Sequence, residues 1–134
     1  MTLQVCIMTP DRIFLNDQAE EIILPTNTGQ MGVLSNHAPL ITALDIGVTL
    51  IRSKTDWNTV ALMGGFALVK DNQITILVNE ADSATEIKSD EAESAFEAAK
   101  LKLEQAVDEK QRVEATFQFK RARARYQVVK QLAL

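Results

Sequence analysis

Apolar residues alternate with polar ones along the first half of the chain, in the segments Leu3-Val5-Ile7, Val48-Leu50, Asn58-Val60-Leu62 and Ile74-Ile76-Val78. A period of two places every second side chain on one face of an extended strand, so these segments predict antiparallel strands packed on a shared core. Turn chemistry separates them at Thr9-Pro10-Asp11, Asn27-Thr28-Gly29, Gly64-Gly65 and Asp71-Asn72. The region down to about Ala84 therefore reads as a compact all-β unit, a sandwich or flattened barrel. Beyond Ser89 the period changes. Ala92, Ala95, Phe96, Ala99, Leu103 and Ala106 form one stripe at helical spacing, and Ala115, Phe119, Ala122, Tyr126 and Val129 form a second. All glycines and prolines lie at or before Gly65, so nothing in the tail breaks a helix.

Ser89, followed by Asp90, Glu91 and Glu93, predicts the helix start: its hydroxyl is placed to cap the first turn and the carboxylates meet the positive end of the dipole. Asp108 to Arg112 is the one expected turn between two helices, yet it holds no Gly, Pro or Asn. A folded hairpin and one continuous helix are both compatible with that composition. The expected division is a β domain over residues 1–84 and a helical domain over 85–134.

Charge sharpens the picture. Met1 to Glu109 carries 7 basic and 17 acidic residues, whereas Lys110 to Leu134 carries 7 basic residues and the single acid Glu114. Lys120, Arg121, Arg123 and Arg125 are expected to spread over the side of the second helix that does not pack. A cationic element joined to an anionic body points to a negatively charged partner. Nucleic acid is disfavoured as that partner by a pI near 5.0 and by the absence of an aromatic basic platform. It remains the alternative reading, as a small adaptor for nucleic acid or another acidic partner. The mostly alanine stripes are also weak membrane anchors, and no apolar run approaches a bilayer span.

Catalytic chemistry is not indicated. His37 is the lone histidine and Cys6 the lone cysteine, which excludes an internal disulfide and leaves no ligand set for a metal and no nucleophile–base pair; no cofactor is expected. Cys6 is expected as core filler in a reducing compartment, and the acidic N-terminal stretch is unlike a targeting segment. Asn36-His37-Ala38-Pro39 reads as a turn, Gly64-Gly65 as a bulge or tight bend, and the glycine-containing Thr26–Gly32 segment as a hairpin tip that lacks the Lys-Ser/Thr end of a P-loop.

The stretches Glu21-Ile22-Ile23-Leu24-Pro25-Thr26, Gly29-Gln30-Met31-Gly32-Val33-Leu34, Asn36-His37-Ala38-Pro39-Leu40, Ala61-Leu62-Met63-Gly64-Gly65-Phe66-Ala67 and Arg121-Ala122-Arg123-Ala124-Arg125-Tyr126, in this order, resemble the epsilon subunit family of the rotary ATP synthase. The start Met1-Thr2-Leu3 with Cys6 is closest in style to chloroplast forms from algae, with a cyanobacterial form as the alternative. The resemblance implies a mainly β plus α chain: a ten-stranded β-sandwich followed by a two-helix antiparallel hairpin. It also implies a non-catalytic central-stalk rotor component, at the stromal side of the thylakoid membrane and bound to that membrane only through the complex. The partners implied are the gamma subunit, the c-subunit ring, and the catalytic beta and alpha subunits. By position, Gln30 and Met31 correspond to the contact with the c ring and His37 to the contact with gamma. Lys120, Arg121, Arg123 and Arg125 correspond to the basic face that inhibits ATP hydrolysis when the helices extend. Some bacterial relatives bind ATP through a motif of Ile or Leu, Asp, two variable residues, Arg and Ala. Here the matching stretch is Ile87-Lys88-Ser89-Asp90-Glu91-Ala92, with a cation where the acid belongs and a carboxylate where the arginine belongs. That inversion disfavours a polyphosphate.

Overall fold

The computed structural model describes residues 2–130. Eight strands come first: β1 (Leu3–Thr9), β2 (Arg12–Ala19), β3 (Glu21–Thr26), β4 (Gly29–Leu34), β5 (Leu40–Ser53), β6 (Asp56–Lys70), β7 (Gln73–Val78) and β8 (Ala81–Ser83). A single turn of 3-10 helix (Ala84–Glu86) leads into α1 (Ser89–Glu104) and α2 (Glu109–Lys130).

The two long strands make the architecture. The first part of β5, Leu40 to Leu44, pairs with Gly65 to Val69 of β6; the second part, Ile46 to Ser53, pairs with Asp56 to Met63. Asp45 and Gly64 lie opposite each other between these two stretches of one unchanged register, and both strands bend there. One layer is thus β2-β1-β7-β6-β5 and the other β4-β3-β5-β6-β8, so that β5 and β6 serve both. Ten strand segments were expected; the described residues form eight strands, because β5 and β6 each run unbroken through the unpaired Asp45–Gly64 position. The inward-facing parity changes across this point. Val60 and Leu62 point into the sandwich before Gly64, while Ala67 and Val69 do so after it.

A second correction concerns direction. The strands were expected to be antiparallel, but β1 and β7 run parallel, with Val5 opposite Ile74 and Ile7 opposite Ile76. Alternation specifies which side chains face inward and carries nothing about strand polarity. Along β1, Leu3, Val5 and Ile7 are fully buried, which turns Cys6 outward to a half-buried position. Its expected role as core filler is therefore wrong by one step of the pleat. Parity also redirects Val48 and Leu50: they leave the sandwich core and line the outer surface of the second layer with Ala61 and Met63. On the inner side the same stretch of β5 carries buried Thr49, whose hydroxyl donates to the Ile23 carbonyl at 2.8 Å, and Ile51.

The helices fold back as a hairpin. Phe96 of α1 sits between two rings of α2, with centroids 5.5 Å from Phe119 and 4.8 Å from Tyr126, and Ala92, Ala99, Ala115 and Ala122 are buried beside them. Ser89 is the first residue of α1, which has no side-chain cap, so the expected hydroxyl cap is absent. The interhelical turn is also shifted, occupying Gln105–Asp108. Asp108 Oδ1 accepts the Gln111 backbone N–H at 2.7 Å, and Gln111 Oε1 accepts the Val107 N–H at 3.2 Å. This reciprocal cap supplies the stop that Gly or Pro would otherwise provide.

Glu86 fastens the connection between sandwich and hairpin. Its carboxylate accepts the Ser83 backbone N–H at 3.3 Å and the Ser83 hydroxyl at 3.0 Å, and pairs with Arg12 at 3.2 Å. The Ser83 N–H foremost, with the Ser83 hydroxyl and Arg12 adding to it against a partial desolvation, holds the Glu86 carboxyl below the usual carboxylate range. A pKa depressed by folding stabilises the fold above the unfolded value, and that stability disappears as pH falls through the folded value. Glu86→Gln is expected to lower the thermal midpoint at neutral pH by about 1–2 °C, with the gap to the unsubstituted chain closing below about pH 4, as read by thermal scans across pH. Gly65 gives a larger effect. At φ +154°, a Cβ there would lie 2.0 Å from the Leu77 carbonyl oxygen and 2.9 Å from Val78 Cα. Gly65→Ala is expected to cost about 2–4 kcal/mol in chemical denaturation.

Candidate functional site

The face of α2 that meets the sandwich carries Lys120, Arg121, Ala124, Arg125 and Val128, residues that share one side at helical spacing. Ala124 and Val128 are fully buried on Val48, Leu50, Ala61 and Met63, with Ile23, Ile46, Trp57 and Ile87 packed around them. The apolar seat is small, since burying one valine contributes only about 1.5–3 kcal/mol. Charges frame it. Lys120 Nζ lies 3.4 Å from Asp45 Oδ2, Arg121 donates to Glu80, and Arg125 donates to Asp82 Oδ2 at 3.0 Å with a second contact to Glu80 at 3.8 Å. Asp45 comes from the strand bend, Glu80 from the short β7–β8 connection and Asp82 from β8 itself. Met63 N–H donating to the Glu80 carbonyl at 3.1 Å ties that connection to β6.

Three of the four basic residues singled out in the sequence thus face the chain's own carboxylates, not the solvent side on which they were expected. Arg123 differs: it is exposed, with its guanidinium 5.2 Å from the Phe119 ring centroid. Sequence reasoning missed Asp45, Glu80 and Asp82 altogether. A signal was present in the four-residue spacing of Ala124 and Val128 beside Lys120 and Arg121, which marks a second packing face on α2.

Arg121 and Arg125 also line a groove between the helices, with Ala92, Ala99 and Lys102 along its wall. Their guanidiniums are committed to Glu80 and Asp82, and at the mouth of α1 Lys88 pairs with Glu91 at 3.8 Å.

Gln30 and Met31 do not act as one exposed loop. Both lie in β4, opposite Pro25 and Leu24; Gln30 is exposed, whereas Met31 packs half-buried against the core. The hairpin tip before them is closed by Thr26, whose hydroxyl donates to the Gly29 carbonyl at 2.6 Å. Gln30 borders one shallow groove with Asp45 and Arg123, so the structure brings two of the predicted contact regions together.

His37 stands apart from them, in the β4–β5 connection after Asn36, which adopts φ +67°. The ring is half-buried, and its Nδ1 lies 2.7 Å from the Ala38 carbonyl oxygen, which accepts. The connection leads into an apolar surface on the outside of the first layer. There Ile41 pairs with Leu68, and Phe66 with Leu77, all exposed, with Ile41 at 73% and Phe66 at 59%. The outer face of the second layer is covered by α2; among the described residues nothing covers this one. Among the described residues no group of three or more His, Cys, Asp or Glu is placed to hold a metal ion, and no helix is long and apolar enough to cross a membrane.

Comparison with known proteins places these surfaces in context. Residues 2–84 match the family described as the ATP synthase Delta/Epsilon chain, beta-sandwich domain, and residues 85–130 match the Delta/Epsilon chain, long alpha-helix domain. The chain is 82% identical over 134 residues to the chloroplastic ATP synthase epsilon chain of Chlorella vulgaris, covering 100% of both. It is 70% identical over 129 residues to the chloroplastic epsilon chain of Oltmannsiellopsis viridis, covering 96% of this chain and 98% of that one. Among solved structures it resembles a chain of the Euglena gracilis mitochondrial ATP synthase, determined as an OSCP/F1/c-ring assembly. That match has a TM-score of 0.80 at 25% identity, over 92% of this chain and 78% of the other.

Proposed function

Because the chain belongs to the delta/epsilon chain family of ATP synthase, we propose that it works in a plastid as an epsilon-type subunit of the central stalk, a rotor part that makes and breaks no bond itself. The observation that carries its regulatory role is the charged contact of α2. A helix held by Ala124, Val128 and partly exposed ion pairs is seated weakly enough to leave.

In this reading the bare apolar face of the first layer, around Ile41, Phe66, Leu68 and Leu77, seats against the gamma subunit, with His37 at its margin. An exposed patch of aliphatic and aromatic side chains supports a protein contact there. Gln30, in β4 beside the tip of the β3–β4 hairpin, meets the polar loops of the c ring, and Met31 next to it packs against the core. The subunit rides at the stromal side of the thylakoid membrane and touches that membrane only through the complex. When α2 leaves its seat, Lys120, Arg121, Arg123 and Arg125 turn to an acidic surface of the catalytic beta subunits, beside alpha, and slow ATP hydrolysis. The commitment of the α2 cations to carboxylates supports an acidic protein partner over nucleic acid.

The test is the ATPase rate of the synthase catalytic head depleted of its own epsilon-type subunit, with and without this chain. Replacing Lys120, Arg121, Arg123 and Arg125 together by Ala is expected to relieve inhibition roughly threefold to tenfold with binding to the head unchanged; an unaltered rate with normal binding rejects the role of these cations. Isothermal calorimetry of the isolated chain with ATP is expected to show no micromolar binding, since Glu91 and Lys88 pair with each other and the groove arginines with Glu80 and Asp82. Saturable micromolar heat would overturn that expectation.

A further inference from the structure

Asp45, Glu80 and Asp82 do more than decorate the sandwich. Asp45 uses one oxygen to accept the Ile46 N–H at 2.8 Å at the strand bend, and its other oxygen faces Lys120. Glu80 directs its two oxygens to two arginines, Arg121 and Arg125, and Asp82 holds Arg125 from the other side. All three acids come from the sandwich and all three cations from α2, so every one of these pairs bridges the two parts of the chain. The pairs are only partly exposed, with side-chain exposures between 26% and 48%, so solvent screens them less than it screens a fully exposed pair.

We propose that Asp45, Glu80 and Asp82 form an acidic seat that competes, within the chain, for the cations α2 would otherwise present to the catalytic subunits, and so opposes inhibition. This deepens the preceding functional reading and rests on it. The same side chains cannot engage two acidic surfaces at once, so whatever stabilises the seat lowers the population of the released helix. Removing the acids and removing the cations must therefore have opposite effects on ATP hydrolysis. A merely structural role for the acids would weaken the sandwich and reduce inhibition along with it. Glu80 is the hub of the seat because it meets two arginines, Arg121 and Arg125. Arg123, exposed while the helix is docked, is available for a first encounter with a partner before the seat opens.

The experiment uses the full chain carrying Asp45→Asn, Glu80→Gln and Asp82→Asn. Hydrogen exchange is read on the isolated protein, and ATPase on the depleted catalytic head. The expected result is exchange in α2 on the order of tenfold faster, with β1 and β7 amides unchanged, and a lower ATPase rate than with the unsubstituted chain. Unchanged exchange in α2 overturns the seat. Faster exchange with an unaltered ATPase rate keeps the seat and overturns the inhibitory reading beneath it. Should the triple variant lose protection in β1 and β7 as well, the exchanged pair Asp82→Arg with Arg125→Asp decides: it restores protection of α2 relative to Asp82→Arg alone if the seat is electrostatic, and failure to restore it overturns the proposal.

Discussion

A long strand cannot contribute to two stacked sheets unless its pleat is reset where it turns from one to the other. Asp45 and Gly64 perform that reset in β5 and β6 at the same level, and much else depends on it. With the phase reversed, Val60 and Leu62 can fill the core from one layer while Ala67 and Val69 fill it from the other. The outer surfaces separate in the same step. Val48, Leu50, Ala61 and Met63 emerge on the side that α2 covers, and Ile41, Phe66, Leu68 and Leu77 emerge on the side that stays open. The bend also supplies Asp45 to the helix.

The attachment of the tail combines two kinds of force with different reach. Apolar contact through Ala124 and Val128 acts only when the helix is seated, and it is directionless. The ion pairs set which turn of the helix lies over which strand, because Lys120 is matched to the bend and Arg125 to β8. Within the tail, the Phe96 ring held between Phe119 and Tyr126 couples α1 to α2.

Much of this was legible in the sequence. The sandwich followed by two helices could be read from the change of period near Ser89, because burial of one face imposes that period on any helix or strand. The polarity of β1 against β7 was not legible, since pairing partners far apart in sequence leave no mark on local alternation. Nor was the destination of Val48 and Leu50, whose pattern fits either face of a layer covered on both sides. The turn at Gln105–Asp108 was missed because its stop signal is the pair Asp108 and Gln111, not a glycine or proline. The basic residues of α2 were found, but the carboxylates that receive them lie on separate strands and loops, and only folding brings Asp45 beside Glu80 and Asp82.

The parallel ladder between β1 and β7 has a consequence for the order in which the molecule assembles. The hairpin of β5 and β6 turns over Lys54 and Thr55, so its loop closes with little loss of chain entropy. Joining Gln4 to Gln73, by contrast, closes a loop that encloses nearly the whole sandwich. Contacts of such separation form late and slowly. During synthesis the surface that receives α2 is thus laid down on a local hairpin before the first layer can be completed, and the chain's own beginning must wait, unpaired on one edge, until β7 arrives to receive it.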